Sequence, residues 1–277
     1  MRHTKLLQSF HTLIITGASS GIGKSFLEHV VSMRTGLTVF NLSRRIPEGI
    51  FTQEGLLNFH HISCDFSHRE GTFEALDELL RLLSEQGPSA GRILLINNSG
   101  FGSYGSFPAP GISRQLEMLD VNVRAPLLLT ERLLPLLHAR GGAVVNIAST
   151  AAFQPTAHMA TYGATKAFLL NWSLALREEL RGSGVHVLAV CPGPTTTQFF
   201  RNAGMQQAIL PESVGQSAAQ VVDATFCALA AGRGLVVSGW KNKVTSFLAS
   251  KLPKVFAARL AARVIAHFRP TGKNTQT

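Results

Sequence analysis

Seven short apolar runs punctuate this chain, at Leu13–Thr16, Leu37–Ser43, Leu57–Ser63, Ile93–Asn97, Ala143–Ile147, Val185–Cys191 and Leu235–Ser238. Five of the six gaps hold stretches that suit helices, near Ile22–Met33, Arg69–Glu85, Ser113–His138, Tyr162–Arg181 and Ser213–Ala231. Strands that alternate with helices read as right-handed βαβ crossovers, which build a parallel sheet. The runs are apolar at both alternating positions, as strands covered on both faces must be. The expected fold is therefore α/β, a doubly wound parallel sheet of about seven strands with helices on both sides. Pro126 and Pro135 fall inside the third helical stretch and should kink or shorten it.

The chain has 277 residues, 45% of them hydrophobic and 15% charged, enough for one sizeable core. No linker-like stretch or repeat divides it, so residues 1–277 are expected to form a single domain, with residues 240–277 as a basic C-terminal helical extension. Cys64, Cys191 and Cys227 lie far apart with no CxxC pair, which suggests neither a metal site nor a disulfide framework. Residues 1–10 are polar and offer no apolar signal core, and no window reaches the 18 or so apolar residues of a membrane span. A cytoplasmic protein is the expectation.

The net charge of +10 is concentrated at the C-terminal end. From Ala224 onward there are nine Lys or Arg and no Asp or Glu, which leaves 17 of the 26 basic residues against all 16 acidic ones in the remainder. No aromatic interleaving or recognised motif accompanies the basic residues, so no nucleic-acid partner is expected.

The first run leads directly into Thr16-Gly17-Ala18-Ser19-Ser20-Gly21-Ile22-Gly23 and then a helix. Glycines at a strand-to-helix turn let a pyrophosphate approach the backbone and meet free amides at the helix N-terminus. Sites that prefer NAD often place an acid about 20 residues onward to bind the ribose. Here the second run ends in Ser43-Arg44-Arg45. A carboxylate would repel a 2′-phosphate, whereas guanidinium groups grip it, so NADP(H) is expected in preference to NAD(H). Asp65, past the third run, could accept a bond from the adenine amino group.

Ser149, Tyr162 and Lys166 follow the fifth run. A step of four puts Tyr162 and Lys166 on one helix face. A phenol near pKa 10 is a poor base at neutral pH, and an adjacent ammonium favours its ionised form. Ser149, leaving the carboxyl end of a strand, could hydrogen-bond a substrate oxygen. The chain has only two tyrosines, Tyr104 and Tyr162.

In these pieces and their order the chain resembles the short-chain dehydrogenase/reductase family from Leu13 to about Ser238. The glycine turn is followed by Asn97-Asn98-Ser99-Gly100, Asn122, Ser149, Tyr162-Gly163-Ala164-Thr165-Lys166, and Pro192-Gly193 with Thr195 and Thr197. The resemblance implies a Rossmann-type sheet and a nicotinamide-dependent oxidoreductase that interconverts a small-molecule carbonyl and an alcohol. It implies a catalytic set of Asn122, Ser149, Tyr162 and Lys166. Tyr162 would protonate the carbonyl, and Lys166 would bind the nicotinamide ribose and lower the tyrosine pKa. Asn122 would hold a water that relays protons to Lys166. Pro192, Gly193 and Thr197 would frame the nicotinamide. The sequence departs from the family's usual Asn-Asn-Ala-Gly at Ser99, whose hydroxyl is expected to alter contacts beside the adenosine half. Homo-oligomers are common with this fold, and one is expected by that analogy.

The resemblance also implies that residues from Thr195 to about Pro211 close over the substrate, presenting Phe199, Phe200, Met205, Ile209 and Leu210, with Phe101, Phe107 and Phe153 on facing loops. These residues suit a bulky apolar substrate, and packing of the loops accounts for them equally. Beyond the last run, Phe256, Leu260, Val264 and Phe268 recur every four residues on an otherwise basic helix. Such a helix packs on the domain or a sister subunit with its charges in water, or lies on an anionic membrane. Pro253 should break the segment in two. A non-catalytic NADP(H)-sensing or membrane-surface binding protein is the alternative to an enzyme, and the complete Ser, Tyr and Lys set argues against it.

Overall fold

A computed structural model of the chain describes residues 2–33, 36–49, 58–87, 90–205 and 215–266. Its strands are β1 (Thr12–Thr16), β2 (Thr38–Ser43), β3 (Phe59–Ser63), β4 (Ile93–Asn97), β5 (Gly142–Ile147), β6 (Val185–Cys191) and β7 (Leu235–Val237). They form one parallel sheet in the order 3-2-1-4-5-6-7. The order reverses at β1, where Thr12 pairs with Thr38 on one side and Ile93 on the other. Loops leaving the carboxyl ends of β1 and β4 therefore diverge, and such a switch point opens a crevice. Leu57, expected in the third strand, lies outside the described residues.

The α-helices among the described residues are α1 (Arg2–Leu7), α2 (Gly21–Ser32), α3 (Arg69–Glu85), α4 (Ile112–Leu119), α5 (Ala125–Arg140), α6 (Ala160–Glu179), α7 (Phe199–Asn202), α8 (Ala218–Ala230), α9 (Trp240–Lys251) and α10 (Lys254–Ala266). Strand residues divide by parity between two cores. Leu13, Ile15, Leu94, Ile96, Val145 and Leu188 face Phe26, Val30 and Phe226 of α2 and α8, where Phe26 and Phe226 meet edge to face at 5.6 Å. Ile14, Ile93, Leu95, Val144 and Val187 face Leu76, Leu79, Leu129 and Leu133 of α3 and α5. At about 25 cal/mol per Å², burial of this kind drives the layering.

The expected helix Ser113–His138 is present as α4 and α5 joined by a widened turn, Asp120–Arg124, in which the Ala125 N–H bonds the Asp120 carbonyl five residues back. Pro126 follows at once, in the first turn of α5, where its missing N–H is tolerated. Pro135 is exposed and does not end the helix, because Glu131, whose carbonyl loses its donor, is also exposed to water. The last expected helix starts later than Ser213, which lies outside the described residues. Ser217 caps α8, accepting from the Gln220 N–H while the Gln220 side chain accepts from the Ser217 N–H.

Candidate active site

The glycine turn is held from three sides. Gly17 and Gly21 take positive φ values of +72° and +58°, a region that favours glycine. Thr16 Oγ1 accepts from the backbone N–H groups of Asn98 (3.0 Å) and Ser99 (2.8 Å), and Asn98 Nδ2 donates to the carbonyls of Thr16 and Gly17. Ala18 N–H donates to Asn41 Oδ1 at 3.1 Å. A Cβ at Gly17 would lie 2.7 Å from Ser99 Oγ, so the extra hydroxyl at Ser99 sits directly over that glycine. A Cβ at Gly23 would lie 2.3 Å from the Gly17 carbonyl oxygen and 2.4 Å from Asn98 Nδ2. Gly23 thus lets α2 seat against the turn. Ser20 at the N-cap of α2 makes no side-chain capping bond, which leaves the first-turn amides facing outward.

The turn opens onto a cavity of about 940 Å³ that runs along the carboxyl ends of the strands. Its adenosine-side wall as expected from the sequence includes Ser43, Arg44, Arg45 and Asp65. Arg44 and Arg45 are exposed. The buried Ser43 hydroxyl accepts from Asn41 Nδ2 and donates to the Arg45 carbonyl, so it shapes the arginine loop. Partial burial pushes the Asp65 carboxyl up, but bonds from Ser67 and the nearby charges of Arg44 (3.8 Å) and His68 outweigh it and hold the group below its ordinary value.

At the other end, α6 presents Tyr162 and Lys166 one turn apart, and Ser149 follows β5. Ser149 stands beside the Tyr162 hydroxyl, near enough for its side chain to favour the ionised phenol. Lys166 Nζ donates to the Ile147 carbonyl at 2.8 Å and lies 5.9 Å from the tyrosine ring centre. Burial pushes the Tyr162 phenol up to about 12, against the lowering effect of Ser149. Burial also lowers the Lys166 ammonium to about 8. The sequence suggested that Lys166 would depress the phenol. In this enclosed site desolvation governs instead, and the phenol is neutral at neutral pH.

Seventeen expected site residues line this one cavity together with Tyr162 and Lys166: Gly17, Ser19, Ser20, Gly21, Ile22, Ser43, Arg44, Arg45, Asp65, Asn98, Ser99, Gly100, Ser149, Pro192, Gly193, Thr195 and Thr197. Gly23 and Asn122 stand behind its wall. Asn122 is fully buried in the widened turn, accepts from the Phe101 N–H, and donates to the Phe101 carbonyl and Thr165 Oγ1. Its side chain is therefore committed to holding the loop after β4. A Cβ at Gly100 would lie 3.2 Å from both Asn122 Oδ1 and Lys166 Nζ, so this glycine admits the two groups.

On the substrate side Phe101, Phe199, Phe200 and Met205 line the cavity, and Phe199 lies 5.2 Å from the Tyr162 ring. Phe107 does not line it and is 70% exposed, while Phe153 packs against Ala148, Leu170 and Cys191. Ile209 and Leu210 lie outside the described residues. Sequence reasoning did not single out Met159, Gln154, Thr156 or Arg114, which also line the cavity. Arg114 sits 3.9 Å above the Phe101 ring and pairs with Glu117, and a lone arginine on a polar helix carried no signal of that placement.

The short chain dehydrogenase family model matches residues 11–208. The chain is 36% identical over 205 residues to a serine 3-dehydrogenase of Rhizobium radiobacter, a match covering 71% of this chain and 78% of that one. It is 32% identical over 196 residues to an NADPH-dependent 3-dehydrocapnine reductase of Ornithobacterium rhinotracheale, covering 69% and 67%. Among solved structures, a short-chain dehydrogenase from Sphingobium yanoikuyae in complex with NADPH superposes with a TM-score of 0.72 at 27% identity, covering 96% of this chain and 99% of that one. With its sheet order, its glycine turn and this match over more than half its length, the chain belongs to the short-chain dehydrogenase/reductase family of oxidoreductases.

Proposed function

We propose that the protein interconverts a carbonyl and a secondary alcohol on an apolar small molecule, using NADP(H) in preference to NAD(H). The residues present fit the dinucleotide. The turn keeps its close fold because Gly17 and Gly23 carry no Cβ to push Ser99, Asn98 and the Gly17 carbonyl away, the α2 amides face the cavity uncapped, and two arginines stand where an acid would serve NAD. The relatives that name NADPH support the same reading. When bound, the cofactor supplies or accepts the hydride.

The chain's own residues handle the proton. Tyr162 Oη, neutral at working pH, donates its proton to the carbonyl oxygen as that oxygen gains charge, and Ser149 Oγ steadies the same oxygen. Lys166 Nζ, held near pKa 8, carries a proton one helical turn away and can restore it. Phe199, Phe200 and Met205 exclude water and suit an apolar substrate. The observation that carries the reading is the buried Tyr162 with Lys166 one turn away, lining one cavity with Ser149 and the glycine turn.

Tyr162→Phe tests it. Carbonyl compounds are screened with NADPH and NADH by nicotinamide absorbance. The variant should lose about 10²–10⁴-fold in turnover, the usual contribution of a general acid, with NADPH affinity kept within a few fold. Turnover retained in the variant overturns the assignment.

A further inference from the structure

The C-terminal helices are built inside out. In α9 the large apolar residues Trp240, Val244, Phe247 and Leu248 recur at helical spacing on one face, and they are 72%, 50%, 62% and 57% exposed. The opposite face, Asn242, Ser246 and Ala249, turns to the protein: Ser246 is buried, and Asn242 Nδ2 donates to the Ser238 carbonyl. In α10 the inward positions are alanines, with Ala257 buried and Ala258, Ala261 and Ala262 half-buried. Val255, Phe256 and Leu260 point outward. A helix that stabilises its own domain does the reverse, and exposed apolar patches of this kind mark interaction surfaces.

We propose that this face docks on the surface of an anionic lipid bilayer. Residues 240–266 carry six Lys or Arg and no Asp or Glu. On α9, Lys241 and Lys243 flank the apolar stripe on either side and Lys251 ends it; on α10, Arg259 and Arg263 share the outward side with Phe256 and Leu260. Apolar residues sink into the acyl boundary while flanking cations reach phosphate headgroups, and tryptophan favours that depth. A second copy of this chain fits less well. A two-fold contact through this face sets like charges against each other, whereas anionic headgroups complement them. The helices are also seated on the site wall. Asn242 fills the space beside Gly193, within 2.2 Å of where a Cβ would lie, and Lys254 Nζ reaches the Phe153 carbonyl at 3.4 Å. Docking therefore brings the catalytic end of the sheet close to the membrane, where an apolar carbonyl partitions.

Full-length protein is sedimented with vesicles of phosphatidylcholine alone or with phosphatidylglycerol added, at low and high salt, and Trp240 emission is followed in a Trp172→Phe background. Binding should require phosphatidylglycerol, weaken with salt and shift the emission to the blue. Neutralising Lys243, Lys251 and Arg259 to Gln should weaken vesicle affinity about five-fold per charge, roughly a hundred-fold together. Phe247→Ser with Leu248→Ser and Phe256→Ser should abolish it, with thermal melts confirming that each variant is folded. Equal binding to both vesicle types, unchanged Trp240 emission, or an apolar variant that only dissolves a dimer each overturns the proposal. None of these readouts involves turnover, so the result is independent of the catalytic reading.

Discussion

Replacing Lys166 with methionine should make the protein more stable and nearly inactive at once. The ammonium is buried, and burial lowers its pKa from 10.5 to about 8. At 1.36 kcal/mol per pH unit, that corresponds to a penalty of about 3 kcal/mol on the charged form at neutral pH. Methionine removes the penalty but leaves the Ile147 carbonyl without its 2.8 Å donor, which costs about 1–2 kcal/mol. The net gain is roughly 1–2 kcal/mol, or a rise in Tm of about 2–6 °C for a domain of this size. The pH dependence identifies the cause. Below about pH 8 both folded and unfolded lysine are charged and the penalty is complete. Between about 8 and 10.5 the unfolded chain holds more protons than the folded one, so wild-type stability rises with pH relative to the variant. The methionine advantage should therefore shrink across that window and reverse above it, where only the lost bond to the Ile147 carbonyl remains. The raised pKa of Tyr162 acts on both proteins alike and cancels in the difference. Thermal unfolding by circular dichroism, run in parallel from neutral to alkaline pH, makes the measurement. A difference in Tm that does not vary with pH, or a variant less stable at neutral pH, refutes the reasoning.

Three further outcomes follow from the site. Gly23→Ala places a methyl 2.3 Å from the Gly17 carbonyl oxygen, so denaturant unfolding should show a loss of about 1–3 kcal/mol and cofactor affinity should fall with it; unchanged stability contradicts the tight seat of α2. Arg44→Ala with Arg45→Ala should raise the Kd for NADPH roughly thirty-fold, about 1 kcal/mol for each exposed guanidinium, and leave NADH little changed; an equal loss for both cofactors removes the phosphate argument. Carbonyl reduction should hold steady up to about pH 8 and decline above it as Lys166 loses its proton, so a reductive rate that climbs through that range contradicts the proton supply proposed here.

The central strands were legible because burial on both faces leaves them mostly apolar, and because five of the six gaps carried helical signals; β3, with His60 and His61 half-buried, was legible only from its place in the alternation. The widened turn at Asp120–Arg124 was not, since one extra residue in a helix leaves no periodic mark over so short a span; the prolines pointed to an interruption, which lies just before Pro126 and not at Pro135. The glycine turn and the Tyr162–Lys166 pair were recognisable from spacing, because close backbone approach demands glycine and a one-turn step sets the pair on one face, whereas Asn98, Ser99, Gly100, Pro192, Gly193, Thr195 and Thr197 were expected only from the family resemblance. The direction of the Tyr162 shift was hidden, because desolvation depends on how tightly Met118, Met159 and Met205 enclose the ring, and Met118 and Met205 come from distant segments. The orientation of α9 was hidden too. A helical pattern shows that an apolar face exists, and tertiary packing decides whether that face or the polar one with Ser246 meets the protein.

Asn122 shows how the fold and the chemistry are joined. It lies in the widened turn and spends its side chain on both backbone groups of Phe101, the residue that follows Gly100 out of β4. Gly100 in turn has no side chain to separate Asn122 Oδ1 from Lys166 Nζ. An ordinary helical turn at Asp120–Arg124 would rotate the residues after it by about 100° for each residue of register lost, carrying Asn122 away from the β4 loop. The widened turn thus sets the distance between the strand bearing the Asn98 lash and the helix bearing Tyr162 and Lys166. Two halves of the site built on separate crossovers are tied by one buried amide, so Asn122, which does not line the cavity, acts in the proposed mechanism as a positioning group.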